Sequence, residues 1–324
     1  MPRRIEHFQI VYIITFRSRG FLLETQNTLL RCRFHNNSLP LPHFHCRLPT
    51  RSQEIRRMLT SFAAITSKLP PIVPGVGGAL ITGIQVMATL TSFSAETNPQ
   101  TTAQYSKFAP QESKVTKMIG SKDGMTLIYL PAFVVGSALY YLADLSFLPE
   151  RTLAGQFVIV HFLKRLLEVQ FLHKYSGKVS QNLSLGIGVY YALASALICS
   201  IAFPAEIGST AKTVGSALFL IGQGGNLYHH YLLSKLRDSK KTEEQYVAPK
   251  GGLFRFVATP HYLFELIGWL GIAAVAQQMN AFLVFTSMSS YLAGRAVSQN
   301  AWNRSKFSDI DWPASRKNIV PFIF

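Results

Sequence analysis

From residue 72 to residue 303 the chain is a succession of apolar runs, each about the 20 residues a helix needs to cross a bilayer core. They lie at 72–94, 124–145, 152–173, 183–203, 213–234, 259–278 and 280–303. In lipid every backbone polar group must be satisfied within the chain, so such runs predict helices and little else. The fold expected is all-α: a polytopic membrane protein built as a seven-transmembrane-helix bundle. Little more than Met279-Asn280 separates the last two runs, which predicts a tight antiparallel pair. No self-similarity at a period of 20–50 residues points to a solenoid. Only 15% of residues are charged against 48% hydrophobic, the balance of an integral membrane protein.

The net charge of +16 does not point to nucleic acid, because the basic residues are scattered between apolar runs instead of gathered in one soluble domain. Anionic headgroups or a phosphorylated cofactor are the partners such loops suit. Lys107, Lys114, Lys117 and Lys122 follow the first run; Lys174 and Lys178 follow the third; Lys235 to Lys250 follow the fifth; Arg304 to Lys317 follow the seventh. The segments after the second, fourth and sixth runs hold only Arg151 and Lys212. That asymmetry predicts a cytosolic C-terminus. Residues 1–57 break the pattern, with ten arginines, no lysine and three acids. They are expected to be an Arg-rich extension, disordered, cleaved or outside the core, of the composition of a targeting segment. The core is then 58–324, opening at Met58. Cys32-x-x-His35 and His43-x-His45-Cys46 match no zinc spacing, and three cysteines support no disulfide framework. No metal is expected.

Thr259-Pro260 opens a helix with a capping residue followed by a proline that has no N–H to lose there. That helix carries His261, Tyr262, Glu265 and Trp269 among apolar residues, so these groups need partners and line a site, unless they merely sit at the membrane surface. Run 152–173 places His161, Lys164, Arg165 and Glu168 on one face, with His173-Lys174-Tyr175 beyond. Adjacent cations in mid-span require an anion. Either a structural pair absorbs them, Arg165 with Glu168 or Glu265, or they serve a cofactor phosphate or a substrate carbonyl. In run 213–234, Gly222-Gln-Gly224-Gly225-Asn226 lacks the G-x-G-x-x-G spacing and any preceding strand, which argues against a Rossmann site. Close helix packing is the use expected of these glycines and of Gly75-Val76-Gly77-Gly78. His230 lies one turn beyond Asn226. Tyr129-Leu-Pro131-Ala-Phe133 directs a phenol toward the bundle. No Ser/His/Asp or Cys/His arrangement suits hydrolysis.

Taken in order, a set of motifs resembles the steroid 5α-reductase family, which includes the very-long-chain trans-2-enoyl-CoA reductases. They are Tyr105-x-Lys107, Leu130-Pro131-x-Phe133, His161-x-x-Lys164-Arg165-x-x-Glu168, Gly225-Asn226-x-x-x-His230, Gly251-Gly252-Leu-Phe254, Pro260-His261-Tyr262-x-x-Glu265-x-x-x-Trp269 and Arg316-Lys317-x-x-x-Pro321-Phe322. The resemblance runs from about Tyr105 to Phe324, with the steroid-reductase-like part at about 150–324. It implies a multi-pass reductase of the endoplasmic-reticulum membrane that uses NADPH to saturate a C=C conjugated to a carbonyl in a lipid, with other fatty-acid elongation enzymes as partners. By the same resemblance Tyr105, Lys107, Arg165, Asn226, His230, Glu265, Trp269 and Arg295 hold NADPH. Lys164 and Tyr262 fall at catalytic positions, Tyr262 as donor or acid, with Lys164 or Tyr129 assisting. Tyr129 stands where steroid reductases carry a glutamate, which favours a very-long-chain 2-enoyl-CoA over a 4-ene-3-oxo steroid. His261 replaces an asparagine, and Asn303 replaces a cofactor-binding tyrosine. A lipid-binding or transport protein on the same bundle is the alternative of another class; Lys164, Tyr262 and Asn226 together speak for catalysis, and Asn303 against it.

Overall fold

The computed structural model describes residues 13–17, 20–25, 28–33, 45–47, 70–103, 108, 117–142, 152–200, 207–238 and 246–324. Tyr105 and Lys107 lie outside them. The chain divides into two units, Met1–Leu69 and Pro70–Phe324. In the first, strands β1 (Ile13–Arg17), β2 (Gly20–Thr25), β3 (Thr28–Arg33) and β4 (His45–Arg47) form an antiparallel sheet in chain order, with Ile13 opposite Glu24 and Cys32 opposite Cys46. Ile, Thr, Phe and Leu recur in these strands, residues that suit a pleated surface.

The second unit is helical. Among the described residues its α-helices are α1 (Gly75–Thr97), α2 (Ser121–Tyr141), α3 (Leu153–Leu167), α4 (Gln181–Ser200), α5 (Ser209–Asp238), α6 (Pro260–Ala276) and α7 (Met279–Lys306). Each coincides with one of the apolar runs. Three of them, α1, α2 and α4, are long and apolar enough to cross a membrane. α6 and α7 meet through Gln277, which ends α6 in the left-handed region at φ 52°, and Gln278. Two short strands, β5 (Met118–Gly120) and β6 (Lys178–Ser180), pair antiparallel beside the starts of α2 and α4.

Small residues decide how closely α5 and α6 approach. A Cβ on Gly222 would lie 2.3 Å from the Gly268 nitrogen, and one on Gly225 would lie 2.1 Å from the Phe264 ring. Gly224, by contrast, faces open space, as do Gly75 and Gly77 in α1; packing was expected of all three and is made by none. Gly222→Val should therefore force the helices apart, at a cost of about 1–3 kcal/mol or more. Gly224→Val is its control. Thermal unfolding of the two variants in detergent checks this: a lower Tm is expected for Gly222→Val alone.

α1 is attached differently. Val76, Leu80, Ile84 and Leu90 are exposed apolar residues, as on a lipid-facing helix. Its inner seam against α7 is polar. Asn280 Nδ2 donates to Gln85 Oε1 (2.8 Å) and Thr82 Oγ1 (2.9 Å), Thr89 meets Thr286 (3.2 Å), and Ser298 Oγ donates to the Glu96 carbonyl (2.6 Å). Hydrogen bonds of this kind hold helices together where lipid offers no hydrophobic drive.

The C-terminal tail returns beside the start of α6. Ala258 N donates to Lys317 O (2.8 Å) and Thr259 N to Asn318 O (3.1 Å). Thr259 was expected to cap α6 with its hydroxyl; it stands at the N-cap position, but the hydroxyl donates to Asn318 O (2.9 Å) instead. Trp312 is buried under this turn, with the Arg316 guanidinium 3.8 Å from its ring centre.

Candidate active site

The site begins with a problem in α3. Lys164 and Arg165 stand side by side in an apolar helix, and both are turned inward. A π-helical turn, Glu168–Leu172, follows directly, and Glu168 is buried there. Its carboxylate bonds the Arg165 guanidinium, forms an ion pair with Lys164 Nζ at 3.0 Å and lies 3.1 Å from His230 Nδ1. Arg165 is the hub. Its Nη2 donates to Tyr129 Oη (2.7 Å), its Nη1 lies 2.9 Å from His230 Nδ1, and its plane lies over the Tyr129 ring at 4.7 Å. Of the sequence alternatives for Arg165, the structural pair with Glu168 is formed, and the guanidinium also reaches a phenol on α2.

A second cluster links α3, α5 and α6. Glu265 Oε1 accepts from Trp269 Nε1 (3.2 Å) and lies 3.3 Å from His161 Nε2, while Gln223 reaches His161 Nδ1 (3.1 Å). Lys164 Nζ donates to Asn226 Oδ1, and Asn226 Nδ2 donates to the His261 carbonyl (2.9 Å). Lys164 is therefore spent on Asn226 and Glu168.

A cavity of about 460 Å³ opens against these groups. Tyr129, Arg165, Asn226, His230, Tyr262 and Glu265 all line it. So do Asn303 and His261, whose buried Nδ1 has no hydrogen-bond partner among the described residues. Gln299 Nε2 donates to Tyr262 Oη at 2.7 Å. Tyr175 is a further lining residue, and burial raises its phenol pKa, so it faces the cavity as a neutral hydroxyl. Among the described residues Lys164, Trp269 and Arg295 are not part of the lining; Trp269 supports Glu265 from behind. Gln299 escaped the sequence reading, and Tyr175 was noted there without a role. Gln299 carried a signal, being a polar residue one turn beyond Arg295 within an apolar run.

Glu168, His173 and His230 offer ligand atoms within 4.8 Å of one another, enough by type for a metal. The Arg165 guanidinium already stands against two of the three, so a second cation would be repelled there.

A second, nearly apolar cavity of about 370 Å³ lies among α1, α4 and α7. It shares Ile187, Tyr191, Met288 and Tyr291 with the first. Tyr190 Oη and Ser287 Oγ meet beside it at 2.5 Å.

A helical bundle with three helices long and apolar enough to cross a membrane, and an internal cavity lined by Arg165, Glu265 and several phenols, has the make-up of a membrane enzyme. The comparisons with known proteins make that class specific. The family model described as 3-oxo-5-alpha-steroid 4-dehydrogenase matches residues 186–324. The 3-oxo-5-alpha-steroid 4-dehydrogenase 1 of Rattus norvegicus is 30% identical over 188 residues, 56% of this chain and 70% of that protein. The very-long-chain enoyl-CoA reductase of Dictyostelium discoideum is 26% identical over 234 residues, 71% of this chain and 77% of that protein. The 3-oxo-5-alpha-steroid 4-dehydrogenase 2 of Macaca fascicularis is 28% identical over 229 residues, 68% and 87% respectively. The chain belongs to the steroid 5α-reductase family. The relatives are oxidoreductases, and they support a membrane enzyme acting on CH–CH groups.

Proposed function

We propose that this chain is a seven-span reductase of the endoplasmic-reticulum membrane that uses NADPH to saturate a C=C conjugated to a carbonyl, with a very-long-chain 2-enoyl thioester as its substrate. The observation that carries the reading is a phenol, Tyr262, held by Gln299 in a cavity that Arg165 and Tyr129 also line. The residues present fit a dinucleotide. The cavity lies within the size range of ligand sites, the buried His261 Nδ1 awaits a partner, and the surrounding charges favour phosphate. Arg165, Asn226, His230 and Glu265 would hold it, with Tyr105 and Lys107 beyond the described residues. Bound there, NADPH would supply the hydride that reaches the β-carbon of the substrate.

The protein's own task is the carbonyl. Tyr262 donates a hydrogen bond to the oxygen as negative charge develops on it, a service worth several kcal/mol away from water. Accepting from Gln299 strengthens that donor by polarising the phenol. Tyr129, polarised in the same way by Arg165, assists. Lys164 is a positioning residue in this scheme, fixing Asn226 and Glu168. The second cavity gives the lipid tail an apolar path toward the bilayer between α1 and α4. The spans α3, α5, α6 and α7 turn their mid-helix polar groups inward, Arg165, Asn226, His230 and Arg295 among them, and keep exposed charges such as Lys212, Lys235, Arg237 and Arg304 near the helix ends, where they would meet water. The C-terminus is then cytosolic, residues 1–57 lie outside the catalytic core, and elongation enzymes are neighbours in the same membrane.

A 4-ene-3-oxo steroid is the second reading, favoured by the 30% identity to the rat steroid dehydrogenase. Cofactor oxidation by the purified chain, full-length and from Met58, tests both with a panel of 2-enoyl-CoAs and enone steroids. Expected are oxidation with long-chain enoyl-CoA, a preference for NADPH over NADH, and equal rates for the two chains. Steroid-only turnover would move the assignment to the second reading. Equal use of both nucleotides would contradict the cofactor.

A further inference from the structure

Arg295 is wholly buried at 0% exposure and stands outside the lining of the cavity among the described residues. What it does hold is specific. Its Nη1 donates to Ala103 O (2.6 Å) and Thr102 Oγ1 (3.2 Å) and pairs with Glu96 Oε2 (3.3 Å). Its guanidinium lies 4.4 Å from the centre of the Phe108 ring. Glu96, near the end of α1 and itself buried, accepts from Ala103 N (2.9 Å) and Thr102 Oγ1 (3.0 Å). The two residues of one ion pair thus take the two backbone polar groups of Ala103, the acid its N–H and the cation its carbonyl. Phe108, stacked on the same cation, lines the cavity.

We infer that Arg295 is a positioning residue, which clamps the chain at Ala103 and Phe108 and through Phe108 sets one wall of the cavity, without touching the cofactor. The stretch Tyr105-Ser-Lys107 runs, in sequence, between the two clamped residues. A buried cation in a membrane bundle is tolerable where protein groups meet it, and here a carboxylate, a carbonyl, a hydroxyl and an aromatic ring do. The planar guanidinium serves a carbonyl, a carboxylate and an aromatic face together; a lysine ammonium cannot. α1 and α7 also touch closely at this level, since a Cβ on Gly294 would lie 2.6 Å from Phe93 O. The clamp therefore ties α1, the segment after it and α7 into one edge of the site. This inference rests on the cofactor reading above.

The test uses the full chain with Arg295→Lys, Glu96→Gln, Phe108→Leu and the Arg295→Lys/Phe108→Leu double variant. Positioning predicts that Arg295→Lys raises KM for NADPH and NADH by the same factor, about 10- to 100-fold, the scale of a misplaced wall. The preference between the two nucleotides should stay as in the parent chain. The double variant should be no worse than the poorer single, because both act through Phe108. Glu96→Gln should act in the same direction with a smaller effect. Amide hydrogen exchange at Ala103, measured without nucleotide, should speed up in both the Arg295 and Glu96 variants. A collapse of the NADPH preference would show the guanidinium reading the phosphate directly and overturn the inference, as would additive effects or unchanged exchange. Failure of the cofactor reading looks different: the parent chain would oxidise neither nucleotide, while exchange at Ala103 would still report on the clamp.

Discussion

Tyr262→Phe should slow turnover about 100- to 1,000-fold while the protein still folds and binds its cofactor. The substitution removes one oxygen. The ring stays packed beside His261, whose centre is 4.4 Å away, so the local core is kept. What disappears is the hydroxyl proposed as donor to the substrate oxygen, which is also the acceptor of the Gln299 hydrogen bond. Were Tyr262 an interfacial anchor, packing alone would matter, and the change would stay below about threefold. Single-turnover NADPH oxidation with a long-chain 2-enoyl-CoA separates the two, after equal nucleotide binding by parent and variant has been verified. Tyr129→Glu adds a second axis. If enone-steroid reduction appears, the residue at 129 sets the choice between thioester and steroid.

Glu168→Ala should destabilise the bundle by about 3–5 kcal/mol, the cost of leaving buried charge without its partner. Arg165 and Lys164 both lean on this carboxylate, and His230 shares it. Without it, adjacent cations remain in an apolar interior. Removing charge on both sides should hurt less than removing it on one. Arg165→Met/Glu168→Met is therefore expected to recover part of the Tm lost in Glu168→Ala, although the site would no longer attract an anion. Thermal unfolding in detergent without nucleotide reads this, and a Glu168→Ala Tm equal to the parent's would contradict it.

The helices were legible because hydropathy dominates in a chain of this kind, and each apolar run coincides with one helix. Their ends were softer: α5 extends to Asp238, past a run read as stopping at 234, since a helix can leave the bilayer without breaking. The site was legible as a set of residues but not as a set of bonds. Local spacing puts Lys164, Arg165 and Glu168 on one face, and they do meet. Nothing local says that Arg165 reaches Tyr129, 36 residues away, or that Lys164 chooses Asn226, 62 away. Arg295 shows the limit most clearly. Only the family resemblance placed it beside the cofactor, and no local spacing says that packing against α1 gives its guanidinium to Glu96, Ala103 and Phe108. The glycines divide for the same reason, Gly222 and Gly225 at a helix contact and Gly224 turned away from it. Thr259 had the right residue type and position for a cap, but Asn318 O, from the returning tail, takes its hydroxyl.

In the proposed reaction, hydrogen passes from NADPH to the β-carbon of a conjugated lipid carbonyl while the protein manages the oxygen. The most direct measurement follows the hydrogen itself. The purified chain would be given NADPH carrying deuterium at its transferable position and a long-chain 2-enoyl-CoA, and the product's label would be located by mass spectrometry and NMR. Expected is a saturated thioester with deuterium at the β-carbon and a solvent-derived hydrogen at the α-carbon. A saturated product labelled at the α-carbon, or no saturated product from any enoyl-CoA or enone steroid, would contradict it.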